Sequence, residues 1–171
     1  MRESPSTARY VRWLRDQTYG VDDGSIPLAA YDCLEHPRVL LIDEAGSGAT
    51  AFVRHVAWLL CCGLEDTHAD SLMMPILLRA ADVPSSATLS GMLAAREADW
   101  GLEAGYFRRR LADGACLVML DGMEDEAEAR MMESAAAEFP NCRFLATARP
   151  GVPSLAGFAT VRLLQSSFTC P

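Results

Sequence analysis

The sequence predicts a three-layer α/β domain with a mainly parallel, five-stranded sheet, and three observations carry that expectation. Strand-length apolar runs recur along the chain, continuous rather than alternating, as strands covered on both faces require. Segments of helical periodicity separate them. Small residues or an Asp follow the runs at the points where, in such a sheet, ligands collect.

The elements follow in order. Arg9 to Tyr19 places Tyr10, Val11, Trp13 and Leu14 at the spacing of a short amphipathic helix that Gly20 stops. Val21 to Leu34 reads as loop, with a turn signal at Asp22-Asp23-Gly24. Arg38-Val39-Leu40-Leu41-Ile42 is the first strand, and Ala49 to Cys62 is a helix with Phe52, Val53, Val56, Leu59 and Leu60 inward. Met74 to Leu78 is a second strand, followed by a Pro/Ser-rich linker at Val83 to Ser86 and helical sequence from Thr88 to about Leu111. Cys116 to Leu120 is a third strand leading to a charged helix over Glu124 to Glu138. Cys142 to Ala146 and Thr160 to Leu164 complete the five. Residues 1–34 divide off as an N-terminal helix and linker, and 35–171 as the α/β domain.

Composition narrows the function. With 171 residues, half of them hydrophobic, the chain can build one sizeable core. The net charge of −8 argues against nucleic acid or an anionic membrane surface as the main partner. No apolar stretch approaches the roughly 20 residues of a bilayer span, and the start does not read as a secretory signal, so a cytoplasmic setting is expected. The six cysteines lack CxxC spacing and read as reduced core residues; His36, His55 and His68 lack ligand spacing. Lysine is absent, so all 15 cationic side chains are arginine.

Three strand ends carry chemistry. Asp43-Glu44-Ala45-Gly46-Ser47-Gly48-Ala49-Thr50 has the layout of a phosphate-binding loop: a buried strand, small residues whose N–H groups can curl round an anion, then a helix N-terminus. Leu120-Asp121-Gly122-Met123-Glu124-Asp125-Glu126 sets a carboxylate at a strand tip, where a magnesium ion on phosphates needs an oxygen ligand. Thr147-Ala148-Arg149 offers a hydroxyl and a guanidinium within reach of a terminal phosphate. Each motif also has a plainer reading. The glycine turn could be an ordinary connection, Asp121 the N-cap of the next helix, Glu124 to Glu128 a macrodipole partner, and Arg149 a surface cation. Arg108-Arg109-Arg110 reads as a solvated helix face.

On these residues the chain, over roughly Arg38 to Leu164, resembles the NACHT domains, signalling P-loop NTPases of the STAND class found in innate immune receptors and bacterial defence proteins. The likeness rests on Gly46-Ser47-Gly48-x-Thr50, on Pro75-Ile76-Leu77-Leu78, on Leu120-Asp121-Gly122-Met123 with its small residue after the Asp and acids beyond, and on Thr147-x-Arg149-Pro150. The resemblance implies a module switched by ATP or GTP with Mg2+. Gly46, Ser47, Gly48, Ala49, Thr50 and Thr147 would line the nucleotide, Thr50 and Asp121 would hold the metal, Asp125 or Glu124 would orient water, and Arg149 would sense the γ-phosphate. It also implies self-association or effector and sensor protein partners.

Two departures bear on activity. Ala49 stands where the family has its P-loop lysine, and Asp43 where it has the first glycine. A unit-charge contact at about 4 Å near a surface is worth up to roughly 4 kcal/mol before desolvation, so nucleotide binding is expected to be weakened. Hydrolysis is expected to be impaired or lost, because the same charge stabilises the transition state. The alternative is a pseudo-NTPase scaffold that binds no nucleotide and works through interaction or oligomerisation.

Overall fold

The computed structural model of the chain describes residues 5–20, 29–44, 48–67 and 73–163. Its elements are helix α1 (Pro5–Thr18), a single-turn helix α2 (Ala29–Asp32) running into a 3-10 turn (Cys33–Glu35), β1 (Arg38–Asp43), α3 (Ala49–Thr67), β2 (Met74–Arg79), α4 (Leu89–Glu97), α5 (Tyr106–Ala112), β3 (Cys116–Met123), α6 (Glu126–Glu138), β4 (Arg143–Ala148) and β5 (Ala159–Leu163). The strands form one sheet in the order β2-β3-β4-β1-β5, and every pairing is parallel. This is the α/β architecture the sequence predicts, and it is compatible with a three-layer P-loop-like fold.

The order of strands explains the layers. The crossover from β1 to β2 passes over β4 and β3 in one direction, whereas those from β2 to β3, β3 to β4 and β4 to β5 run the other way. Because parallel crossovers are right-handed, reversing direction moves the connecting helix to the opposite face. The packing agrees: Phe52, Val53 and Val56 of α3 meet Val39, Leu41, Met119 and Leu145 on one face. Leu93, Phe107, Leu111, Met131 and Met132 of α4, α5 and α6 meet Leu40, Ile42, Val118, Phe144 and Ala146 on the other. Alternate residues of each strand thus serve the two faces, which is why the strands read as unbroken apolar runs.

Helix α1 closes the β2 edge. Its Tyr10 hydroxyl donates to the Pro75 carbonyl at 2.9 Å, and its ring packs on Trp100 and Phe107, with centroids 4.7 and 5.1 Å away. Burial pushes the Tyr10 hydroxyl pKa well above its ordinary value, since a phenolate there would lose its hydration. Arg15 pairs with Glu65 of α3 and holds the two helices together. Proline at an edge strand suits this arrangement, because the donor it lacks would have faced outward.

Several local expectations are corrected, and Leu59 of α3, expected to face inward, is exposed. The helical stretch from Thr88 to Leu111 is two helices, interrupted at residues 98–105, where Gly101 and Gly105 adopt φ of 68° and 75°. That left-handed conformation is costly for other residues and ends a right-handed helix. The segment expected as loop up to Leu34 contains α2 and the 3-10 turn, and Arg143 ties that turn to β4 through the carbonyls of Leu34 and His36. The third strand runs on through Met123, and the cap of α6 is Asp125 rather than Asp121. Cys142 lies one residue before β4.

The cysteines among the described residues are free. Burial raises the Cys61 thiol to about 12 and that of Cys33 to about 11, which keeps both protonated and unreactive. The turn from α5 into β3 leaves less room: Gly114 has φ of +69°, and a Cβ there would stand 2.8 Å from the Asn141 Cβ and 3.0 Å from its carbonyl oxygen. Gly114→Ala is therefore expected to cost about 2 kcal/mol or more, from left-handed strain plus backbone displacement. A urea-unfolding midpoint within error of the parent would refute this.

Candidate functional site

The sheet's strand order reverses beside β1, which makes the crevice at the carboxyl ends of β1 and β4 the topological switch point. Three chain segments meet there. Gly48, with φ of 93°, turns the chain into α3, and its carbonyl accepts the first helical hydrogen bond from Phe52 N–H at 2.8 Å. Thr50 follows in the first turn of α3. Thr147 and Asp121 come from the ends of β4 and β3.

The geometry at Asp121 comes from a bulge. Leu120 pairs with Ala146 and Met123 with Ala148, so Asp121 and Gly122 together oppose the single residue Thr147. Gly122 takes φ of 80° to absorb the extra residue. Its N–H then donates to the Thr147 hydroxyl at 2.8 Å, and that hydroxyl donates to Asp121 Oδ1 at 2.8 Å. Thr50 donates to the same Oδ1 at 2.9 Å. Asp121 thus binds the start of α3 to the end of β4, while its Oδ2 accepts no hydrogen bond among the described residues.

A groove of about 460 Å³ opens beside this junction, between α1, the first turns of α3 and the ends of β2 and β3. Thr50 and Asp121 line it together with Arg54, Arg79 and Arg96. Arg79 pairs in register with Asp121 on the neighbouring strand, and strand parity places both on the α3 face. None of the three arginines was singled out by sequence motif. Arg79 had a signal, since it occupies the end of an apolar strand as Asp121 does; Arg54 and Arg96 sit on helices and had none.

The remaining site residues take varied places. Ala49 is 1 % exposed, packed among the apolar residues between α3 and the sheet. Asp125 caps α6: its Oδ1 accepts from the N–H groups of Ala127 and Glu128, at 2.8 and 3.0 Å, while Glu128 reaches back to the Asp125 N–H at 3.1 Å. Glu124 is exposed, and its N–H also donates to Glu128. Arg149 is exposed just past β4 and does not line the groove. Gly46 and Ser47 lie outside the described residues. Glu44, next to Asp43, pairs with Arg162 at 3.3 Å.

A divalent cation fits this donor set only with help. Among the described residues no cluster of three or more His, Cys, Asp or Glu side chains could hold a metal ion alone. Mg2+ is commonly bound by one or two protein oxygens plus substrate phosphates and water, and the Asp121 carboxylate with the Thr50 hydroxyl meets that lesser requirement. No helix among the described residues is long and apolar enough to cross a membrane. No protein-family model matches the chain, and no curated protein matches it.

Proposed function

We propose that this chain is a NACHT-like nucleotide-binding signalling or defence module whose hydrolytic step is impaired or lost. The observation that carries this reading is the convergence of Thr50 and Thr147 on Asp121 at the switch point. A hydroxyl in the first turn of the helix after β1 and a carboxylate at the end of β3 can share a magnesium ion carrying ATP or GTP phosphates. Such a bound nucleotide would supply the charge that holds the segments around it in one state. Gly48 and the helix N-terminus after it would offer N–H groups to an anion, and Arg149, two residues past Thr147 and outside the groove, would have to approach a terminal phosphate from the β4 side. Protein partners, whether a second copy or an effector, would read that state.

A nucleotide present at 100 times its dissociation constant should raise stability by about 2.7 kcal/mol, visible as an upward melting shift that needs Mg2+. Absence of any shift with ATP and GTP up to millimolar concentration would refute the proposal. Turnover above background that Asp121→Asn abolishes would instead refute the loss of hydrolysis.

One observation favours the scaffold reading as the alternative. Ala49 contributes its methyl group to the core, so its position is built for packing. Ala49→Lys separates the two readings. The ammonium would have to leave the apolar layer, and the unliganded variant is expected to lose about 1–3 kcal/mol of stability. If the junction is a phosphate site, MgATP should recover that loss and shift the melting temperature further than it shifts the parent, more so with Asp43→Gly added. An equal or smaller shift in both variants would favour the scaffold.

A further inference from the structure

The groove beside Asp121 is a cationic feature on an acidic protein: three guanidinium groups and two carboxylates, Asp82 and Asp121, line it, against a net charge of −8 for the chain. Its arginines are held in different ways. Arg54 donates through Nη2 to the Gln17 carbonyl at 2.8 Å, which spends one of its five N–H donors and fixes the guanidinium between α1 and α3. Arg79 pairs with Asp82 through Nε and Nη2, both at 3.0 Å, but the side chains are 74 % and 41 % exposed. An ion pair that open is worth little, so exchanging Asp82 for a stronger anion costs little. Arg96 is part-buried, and its guanidinium makes no hydrogen bond or ion pair among the described residues.

We infer that the groove receives the outer phosphates of a polyphosphate chain, with Arg79 and Arg96 as direct ligands and Arg54 beside them supplying the charge that Ala49 does not. The inference rests on the nucleotide reading for the identity of the rest of the ligand. Guanidinium groups suit the task because their planar fork grips phosphate oxygens in pairs. Placement suits it too: Arg79 is the backbone register partner of Asp121 and both line the groove, so an anion meeting a cation held at Asp121 and Thr50 would share the groove with this arginine. The buried face of α3 at Ala49 offers no such contact.

The test is calorimetric titration of the full chain with MgATP, inorganic tripolyphosphate and AMP. Tripolyphosphate and ATP should bind and AMP should not. Arg79→Ala and Arg96→Ala should each weaken both polyphosphates about tenfold, with partial rescue by Arg79→Lys. Asp82→Asn should tighten them, a gain that misfolding cannot mimic, and the unliganded melting curves of the arginine variants should match the parent. If ATP binds the parent and the arginine variants equally well, the inference is overturned and the nucleotide reading stands. If tripolyphosphate binds as tightly as ATP and depends on the arginines, the groove is a polyphosphate site and the nucleoside reading falls. If no polyphosphate binds, both fall.

Discussion

Asp121→Ala is expected to cost about 2 kcal/mol of folding stability and to abolish any magnesium-dependent stabilisation by nucleotide. The stability loss follows from Thr147. Its hydroxyl is buried, accepts from Gly122 N–H, and has its donor directed at Asp121 Oδ1. With the carboxylate gone, that donor has no partner away from water, and the bulge that depends on the same hydroxyl loosens. Thr50 adds less because it is exposed. Asp121→Asn discriminates the structural from the functional role. An amide oxygen can still accept from both hydroxyls, so stability should fall by less than about 1 kcal/mol, yet the lost negative charge should still remove the Mg2+ dependence. An Asp121→Asn protein that gained as much stability from MgATP as the parent would refute the metal role.

Glu97→Ala is expected to be the more destabilising change, by about 3 kcal/mol. Glu97 is 3 % exposed, and its carboxylate accepts from Gly105 N–H at 2.6 Å and Phe107 N–H at 2.9 Å. It therefore caps α5 from the end of α4, a need created by Gly105, which stands at the N-cap with no side chain to offer. Charge-assisted bonds of this kind are worth about 1.5–3 kcal/mol each, and both donors would be left unmade in a buried place. Phe107 would loosen as well, and with it the aromatic packing that seats Tyr10 of α1. Glu97→Gln should fall between, since the amide oxygen can serve one donor while its NH2 group opposes the other. A urea-unfolding free energy for Glu97→Ala within about 1 kcal/mol of the parent would refute this account.

The contrast between Asp125 and Asp121 shows how much of the site could be read in advance. Both are Asp residues between a buried strand and a helix, and local sequence offers either as N-cap. The bulge at Gly122 turns Asp121 toward Thr147, and the capping box between Asp125 and Glu128 starts the helix later. A bulge depends on pairing with β4, which lies 25 residues away by the Gly122–Thr147 contact, so no local signal announces it. The split between α4 and α5 was closer to legible, because Gly101 and Gly105 were in view. The carboxylate that stabilises the break looks like any helical Glu until its partners are placed.

The sequence by itself determined the class of fold, the positions of the five strands and the three segments whose ends meet. These follow from apolar runs, helical periodicity and small residues after strands, all of which act over a few neighbouring residues. The tertiary structure alone decided the strand order β2-β3-β4-β1-β5, and with it the neighbours of Asp121: Thr147 on one side, Arg79 on the other, and Thr50 above. It also decided that Ala49 belongs to the core and that the cations of the groove come from Arg54, Arg79 and Arg96. The physical reason is that strand order and helix docking are set by burial summed over residues far apart in the chain. Side chains from separate elements become neighbours only once that burial is complete.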